Sequence, residues 1–212
     1  MLVLVLSLTL WSGDLTGTVT VLKKGGKKPL SDHSQALVYV VGPKQAPPPQ
    51  PVESVQEDKA FVPRVLVVVK GQEVRFLNED PIQHNVFSRE PEQAFDLGHY
   101  PAGDYRSVVY ENPGFYKVYC NIHQRMIQDI AVLENTYFAL TDKAGNFSIS
   151  NVPEGTYQLK VWHIYGGETE QSVQVGAKNV PLKLEVVSTV VVRDLEAHMD
   201  KNGKPYQSDS GY

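Results

Sequence analysis

The sequence predicts an all-β protein. Its apolar stretches are short and rich in valine and tyrosine, residues that favour strands. The chain also contains 16 glycines and 14 prolines, which supply frequent turns, and it shows no amphipathic helical periodicity of useful length. With 212 residues it is long enough for one large domain or two small ones.

Composition excludes several classes of function. The formal net charge is −4 and no basic run stands out, so binding to nucleic acid has little electrostatic support. The single cysteine excludes an intrachain disulfide, a four-cysteine zinc site, a four-cysteine iron–sulfur cluster and a two-cysteine binuclear copper centre. That cysteine is therefore a buried core residue, a reactive thiol or one ligand of a metal.

The N-terminal segment has two interpretations. Residues 1–11 are almost wholly apolar, but they have about half the length of a membrane span. We interpret residues 1–13 as a possible signal segment, although no lysine or arginine precedes the apolar run and the cleavage site is poor. A buried first strand is the alternative. No later stretch is long enough to span a bilayer, so we expect no stable membrane span.

Turns and strand-like runs divide the chain into blocks. The first block contains strand-like runs at 15–22 and 36–41, and it is followed by five prolines between positions 43 and 51. Such a cluster is stiff and extended, as expected of a linker or crossing segment. Strands and turns alternate through 61–133 and again from 137 to about 192. Residues 191–212 are mostly polar and are interpreted as a tail in which His198, like His33 in the first block, is solvent-exposed.

A compact set of potential metal ligands lies between two predicted strands. Cys120, His123 and Met126 follow one another at intervals of three, and His84 lies 36 residues before Cys120 at the start of another predicted strand. Two imidazoles, one thiolate and a weak axial thioether form the ligand set of a mononuclear blue-copper electron-transfer site. Two alternatives stay open: each residue could serve packing alone, or the metal could be zinc, which seldom takes a thioether.

Residues 61–133 resemble the cupredoxins, the family of plastocyanin and amicyanin. The resemblance rests on the loop from Cys120 to Met126, which we call the ligand loop, and on six further motifs: Phe61-x-Pro63, Lys70-Gly71, Val74-x-Phe76-x-Asn78, His84-Asn85, Asn112-Pro113-Gly114 and Tyr116-x-Val118-x-Cys120. It implies a Greek-key β-sandwich with one mononuclear type 1 copper, bound equatorially by His84, Cys120 and His123 and axially by Met126. It also implies that Asn85 hydrogen-bonds across to the ligand loop. The sequence departs from plastocyanin and amicyanin at Ile122, where those proteins have proline.

A second resemblance divides the rest of the chain. The segments 141–147 and 152–157 look like parts of the carboxypeptidase-regulatory-like, transthyretin-like β-sandwich. The usual opening of that domain lies far upstream, at Gly17-Thr18-Val19, Lys28-Pro29-Leu30 and 37–41. We therefore predict a smaller immunoglobulin- or transthyretin-like sandwich built from 14–45 and 135–190, with the cupredoxin, 46–134, inserted between its parts. Insertion at a loop is tolerated when the inserted domain's ends lie close together.

These interpretations predict an exported, periplasmic type 1 copper protein that carries single electrons and is not an enzyme. By family analogy, its redox partners would be a c-type cytochrome or a quinoprotein dehydrogenase. The alternatives are a non-redox copper-binding protein, a structural or adhesion β-sandwich, and a nitrite-reductase-like subunit. The last would need further paired histidines, which the sequence does not show.

Overall fold

The computed structural model describes residues 12–176, 180–191 and 198–206. Within these residues the protein is built from strands, and its one short helical segment is a 3-10 turn at Pro91–Gln93. The strands are β1 (Ser12–Leu22), β2 (Leu37–Val41), β3 (Val52–Glu57), β4 (Ala60–Val62), β5 (Val65–Val69), β6 (Glu73–Asn78), β7 (His84–Ser88), β8 (Phe95–Tyr100), β9 (Tyr105–Val109), β10 (Gly114–Tyr119), β11 (Ile127–Leu133), β12 (Phe138–Leu140), β13 (Asn146–Pro153), β14 (Gly155–Trp162), β15 (Glu168–Val175) and β16 (Leu182–Val187).

The chain divides into two compact units. Unit 1 comprises Met1–Gly42 and Tyr137–Val190, and unit 2 comprises Pro43–Thr136 and Val191–Tyr212. The segment that carries all four predicted metal ligands therefore lies between two stretches of unit 1 along the chain. The predicted divisions were at 45/46, 134/135 and 190/191, and the nature of each predicted domain stays a prediction. The described C-terminal residues, 198–206, belong to unit 2.

Unit 1 contains a three-stranded sheet, ordered β13-β1-β16, and a four-stranded sheet, ordered β12-β2-β14-β15. Its core takes Val19 and Val21 from β1, Val38 and Val40 from β2, and Val161 from β14. The two valines from β1, like the two from β2, are two residues apart, as expected for a strand with one buried face. Strands from both ends of the sequence thus enclose one core.

Gly17 shows how closely the strands of unit 1 approach one another. It lies in β1, between β13 and β16, opposite Phe147 on one side and Leu182 on the other. A Cβ atom at this position would lie 2.3 Å from the carbonyl oxygen of Leu182. Glycine is therefore required here because any side chain would collide with the backbone of the neighbouring strand.

Unit 2 contains a five-stranded sheet, ordered β5-β11-β10-β7-β8, and a four-stranded sheet, ordered β4-β3-β6-β9. Its core contains Leu66, Val74, Phe76, Val118 and Ile130, which come from both sheets. The all-β prediction is confirmed, and these paired sheets fit a β-sandwich.

The structure revises the interpretation of two segments of unit 2. The proline cluster belongs to this unit rather than forming a free linker: Gln45 donates its amide hydrogen to Glu134, and Gln72 donates to the carbonyl oxygen of Gln50. The prediction that His198 is solvent-exposed is wrong, because its ring is half-buried and packs on Tyr119.

The predicted signal segment, 1–13, is mostly outside the described residues. Residues 1–11 are not described, whereas residues 12 and 13 begin β1. The signal therefore stays a prediction. No helix among the described residues has the length and apolar character needed to cross a membrane.

Candidate metal centre

Three potential ligands from distant parts of the sequence converge at one end of the five-stranded sheet of unit 2. His84 begins β7, Cys120 follows directly after β10, and His123 lies in the loop between β10 and β11. One potential ligand atom from each residue lies within 4.8 Å of those of the other two. This is the one such group among the described residues, and it consists of the residues expected to bind the metal equatorially.

Pairing between neighbouring strands brings the ligands together. β7 and β10 pair side by side, with Phe87 opposite Tyr119. The loop after β10 is closed by two backbone hydrogen bonds, from the amide of Cys120 to the carbonyl of Met126 and from the amide of Met126 to the carbonyl of His123. His84 and Cys120 are fully buried, and His123 is half-buried.

The distances between the donor atoms fit one metal ion. Cys120 Sγ lies 3.7 Å from His84 Nδ1 and 3.8 Å from His123 Nδ1. A nitrogen and a sulfur that bind one ion at roughly 2.0 and 2.3 Å, at an angle of about 120°, are themselves about 3.7 Å apart. The two imidazole rings meet edge to face, with centroids 4.9 Å apart. Both nitrogen–sulfur distances therefore match the binding of one ion by these three residues.

Asp80 fixes the orientation of His84. Its Oδ2 atom lies 2.6 Å from His84 Nε2, so the carboxylate can accept a hydrogen bond from an Nε2–H group and leave Nδ1, which faces Cys120, to bind a metal. The same carboxylate accepts hydrogen bonds from the amides of Asp58 and Lys59, at 2.7 and 2.8 Å. Burial raises the pKa of Asp80, but the hydrogen bonds from Lys59, His84 and Asp58 outweigh it and hold that pKa below its usual 3.8.

The surroundings of Cys120 favour a thiolate only when a cation is near. Burial raises the pKa of its thiol, and the backbone N–H groups of Asn85, Ile122 and His123 oppose that rise without overcoming it. The amide of Ile122 lies 3.5 Å from the sulfur. A bound metal cation would supply the missing positive charge, because a coordinating thiol is deprotonated outright.

Asn85 links the two ligand-bearing segments, as the family resemblance implies. Its Oδ1 atom accepts a hydrogen bond of 3.1 Å from the amide of Asn121, which directly follows Cys120. Its Nδ2 atom donates to Asp96 at 2.6 Å and to the carbonyl of Gly98 at 3.3 Å. The start of β7 is thus tied both to the ligand loop and to β8.

Met126, the expected axial ligand, is fully buried at the end of the ligand loop. It belongs to the core that also contains Val86, Val118 and Ile130. Its backbone closes the loop, and its side chain lies in apolar surroundings. Its role as a ligand stays a prediction.

Two of the other histidines have hydrogen-bond partners elsewhere. The prediction that His33 is solvent-exposed is wrong, because His33 is half-buried and its Nδ1 accepts a hydrogen bond from the amide of Val21. His163 lies 3.2 Å from the carbonyl of Ser34. His163 is also buried, at 2% exposure. His99 is exposed on β8. Within the described ranges, none of these three joins a potential metal-binding group.

Sequence comparisons find one partial family match. Residues 128–180 match the model of polysaccharide lyase family 4, domain II. This stretch begins in β11 of unit 2, but most of it lies in unit 1 and includes strands β12 to β15. A comparison with curated proteins finds no match. The transthyretin-like interpretation of unit 1 stays a prediction.

The solved structures similar to this chain include cupredoxins. A purple cupredoxin from Nitrosopumilus maritimus is 24% identical over 38% of this chain and 98% of its own, with a TM-score of 0.35. Amicyanin from Paracoccus versutus is 19% identical over 45% of this chain and 96% of its own, with a TM-score of 0.37. A copper-containing nitrite reductase from Thermus scotoductus SA-01 is 26% identical over 46% of this chain and 26% of its own, with a TM-score of 0.39.

Proposed function

We propose that unit 2 binds a single copper ion through His84, Cys120 and His123, with Met126 as a weak axial ligand, and that the protein carries single electrons. The observation that supports this most strongly is the convergence of two imidazole nitrogens and one thiol sulfur, with both nitrogen–sulfur distances at the spacing that one shared ion requires. Soft sulfur ligands suit Cu(I), and imidazole suits copper in both oxidation states. Copper bound here would supply a one-electron couple between Cu(I) and Cu(II).

The protein around this site supports electron transfer by limiting movement of the ligands. Asp80 orients His84, and Asn85 joins its strand to the loop that carries Cys120 and His123. Ligands held in this way change position little when the metal changes charge, which lowers the reorganisation that an electron transfer requires. His84 and Cys120 are buried, so electrons would leave through the half-buried His123.

We propose that the protein acts as a carrier rather than as an enzyme, because one copper held by two histidines and one cysteine would supply a one-electron couple. We assign the protein to an exported, periplasmic setting with a c-type cytochrome or quinoprotein dehydrogenase as redox partner, by analogy with cupredoxins. Unit 1 would serve as a scaffold or docking surface.

The experiment is reconstitution of the full-length protein with Cu(II), followed by visible absorption and metal analysis. We expect one copper per chain and an intense visible band from charge transfer between Cys120 and Cu(II). Cys120→Ser should abolish this band while preserving the fold, because a hydroxyl cannot replace the thiolate in that transition.

Three results would count against the proposal. A Cys120→Ser variant that retained the intense band would remove Cys120 from the site. A colourless protein that bound zinc in preference to copper would favour the zinc alternative. A protein that bound Cu(I) but gave no coloured Cu(II) form would favour a non-redox copper-binding protein.

A further inference from the structure

A segment near the C-terminus, residues 198–206, lies against the ligand loop, although 72 or more residues of sequence separate them. We call this segment the strap. The amide of His198 donates to the carbonyl of Gln124 at 3.0 Å, and the amide of Lys201 donates to Asn121 Oδ1 at 2.8 Å. The hydroxyl of Tyr206 donates to the carbonyl of Cys120 at 2.7 Å. The strap thus contacts the ligand loop on both sides of His123.

Aromatic packing adds to these hydrogen bonds. The ring of His198 lies over that of Tyr119, with centroids 4.6 Å apart, and its Nε2 atom is 3.3 Å from the carbonyl oxygen of His123. The ring of Tyr206 meets the ring of His198 edge to face at 5.4 Å. Tyr119 directly precedes Cys120, so the strap covers the strand end from which the ligand loop begins.

The strap also has internal hydrogen bonds and contacts with residues outside the ligand loop. Asp200 Oδ1 accepts hydrogen bonds from the amides of Asn202 and Lys204, which forms a compact turn. Lys201 forms an ion pair of 2.6 Å with Asp96, and Arg89 donates to the carbonyl of Met199 at 2.9 Å. The strap is therefore also held by contacts outside the ligand loop, which allows it to support that loop.

We propose that the strap is a positioning element that holds the ligand loop in its metal-binding arrangement before any metal is present. Without the strap, the carbonyls of Cys120 and Gln124 would lose donors that fix them, and the loop would gain conformational freedom. A more mobile loop exposes the thiol of Cys120 more often and releases a bound metal faster. The expected faster release of metal presupposes the proposed copper site, whereas the expected exposure of the Cys120 thiol does not.

The test uses the full-length protein with Tyr206→Phe and Tyr206→Ala. The first variant removes the hydrogen bond to the carbonyl of Cys120 and keeps the ring, and the second removes both. Tyr105→Phe and Tyr105→Ala are the matched controls, because Tyr105 lies on β9 of the same unit, is 49% exposed and is not among the strap contacts described above.

The first measurement is the rate at which the metal-free protein reacts with a disulfide reagent such as DTNB at a fixed pH. Loss of one hydrogen bond should increase this rate about 2- to 10-fold in Tyr206→Phe. Loss of the ring as well should give a larger increase in Tyr206→Ala. Hydrogen exchange in the same samples should increase across residues 120–126 and remain unchanged in β1, which reports on the integrity of unit 1.

The second measurement is the rate of copper transfer from the reduced, loaded protein to a Cu(I) chelator. It should increase in the same order as the thiol reactivity, with both Tyr105 controls at the wild-type rate. If no variant binds copper but the thiol rates follow the predicted order, the strap proposal stands and the copper proposal fails. Thiol rates for both Tyr206 variants within twofold of wild type would overturn the strap proposal. If Tyr206→Ala does not fold, Tyr206→Phe alone decides the outcome.

Discussion

Replacing Asp80 with asparagine should raise the reduction potential of the copper site. The carboxylate lies 2.6 Å from His84 Nε2, and the side chains of His84 and Asp80 are 0% and 9% exposed. A buried carboxylate that accepts a hydrogen bond from the ligand histidine increases the electron density at the other ring nitrogen. Its negative charge also offsets part of the extra positive charge of Cu(II). Asparagine keeps the size and one acceptor oxygen but removes the charge.

The size of the effect follows from the strength of this hydrogen bond. Hydrogen bonds to charged groups contribute about 1.5–3 kcal/mol, and neutral ones about 0.5–1.5 kcal/mol, so the substitution removes roughly 1–1.5 kcal/mol. If that difference stabilises mainly the oxidised site, the potential rises by about 40–60 mV, since 1.4 kcal/mol corresponds to about 59 mV for one electron.

The assay is voltammetry of the wild-type, Asp80→Asn and Asp104→Asn proteins at one pH and ionic strength. Asp104→Asn makes the same change of net charge in unit 2 at a side chain that is 53% exposed, and we expect a shift of only a few millivolts because solvent screens it. NMR of the metal-free protein should also show His84 protonated at Nε2. A potential for Asp80→Asn that equals that of the control, or falls below it, would refute the role assigned to this carboxylate.

Three further outcomes follow from the structure. Met126→Leu should raise the reduction potential and Met126→Gln should lower it without loss of copper, because leucine disfavours Cu(II) and an amide oxygen favours it; coincident potentials would exclude Met126 as a ligand. Burial raises the pKa of Asp96, but hydrogen bonds from Lys201, Gly98 and Asn85 outweigh burial, so the net pKa in the folded protein is lowered. The stability that Asp96 contributes is therefore present above the unfolded-state pKa and is lost as pH falls through the lower folded-state pKa. Denaturant titrations between pH 5 and pH 3 should therefore show a steeper loss of unfolding free energy in wild type than in Asp96→Asn, and parallel losses would contradict this. A fragment of residues 135–190 should be insoluble or unfolded, because it lacks β1 and β2 and leaves sheet edges unpaired; a soluble fragment with a cooperative unfolding transition would show that unit 1 needs no N-terminal strands.

The candidate ligands can be recognised in the sequence because their chemistry is concentrated in a short stretch. Cys120, His123 and Met126 occupy seven residues between two strand-like runs, and strand periodicity places His84 at the start of another strand. The all-β fold was equally evident from turn residues and β-branched runs. The structure brings potential ligand atoms of His84, Cys120 and His123 within 4.8 Å of one another, and their binding of a metal stays a prediction.

The groups that support the ligands could not be predicted in the same way. Asp80 lies in a polar turn, where an aspartate is ordinary, and only the folded hairpin of β3 and β4 places the amides of Asp58 and Lys59 against it. His198 lies in a polar C-terminal sequence without hydrophobic periodicity, so no local pattern indicated that it would pack on Tyr119. Both contacts depend on tertiary structure, which periodicity does not encode.

Voltammetry of the copper-loaded, full-length protein examines the proposed electron-transfer site itself. We expect a reversible one-electron wave whose oxidised form carries the visible band of a copper–thiolate bond, and we expect both the wave and the band to disappear in Cys120→Ser. An intact, copper-loaded protein without a reversible one-electron wave, or a wave that persisted unchanged in Cys120→Ser, would contradict the assignment of His84, Cys120 and His123 as an electron-transfer site.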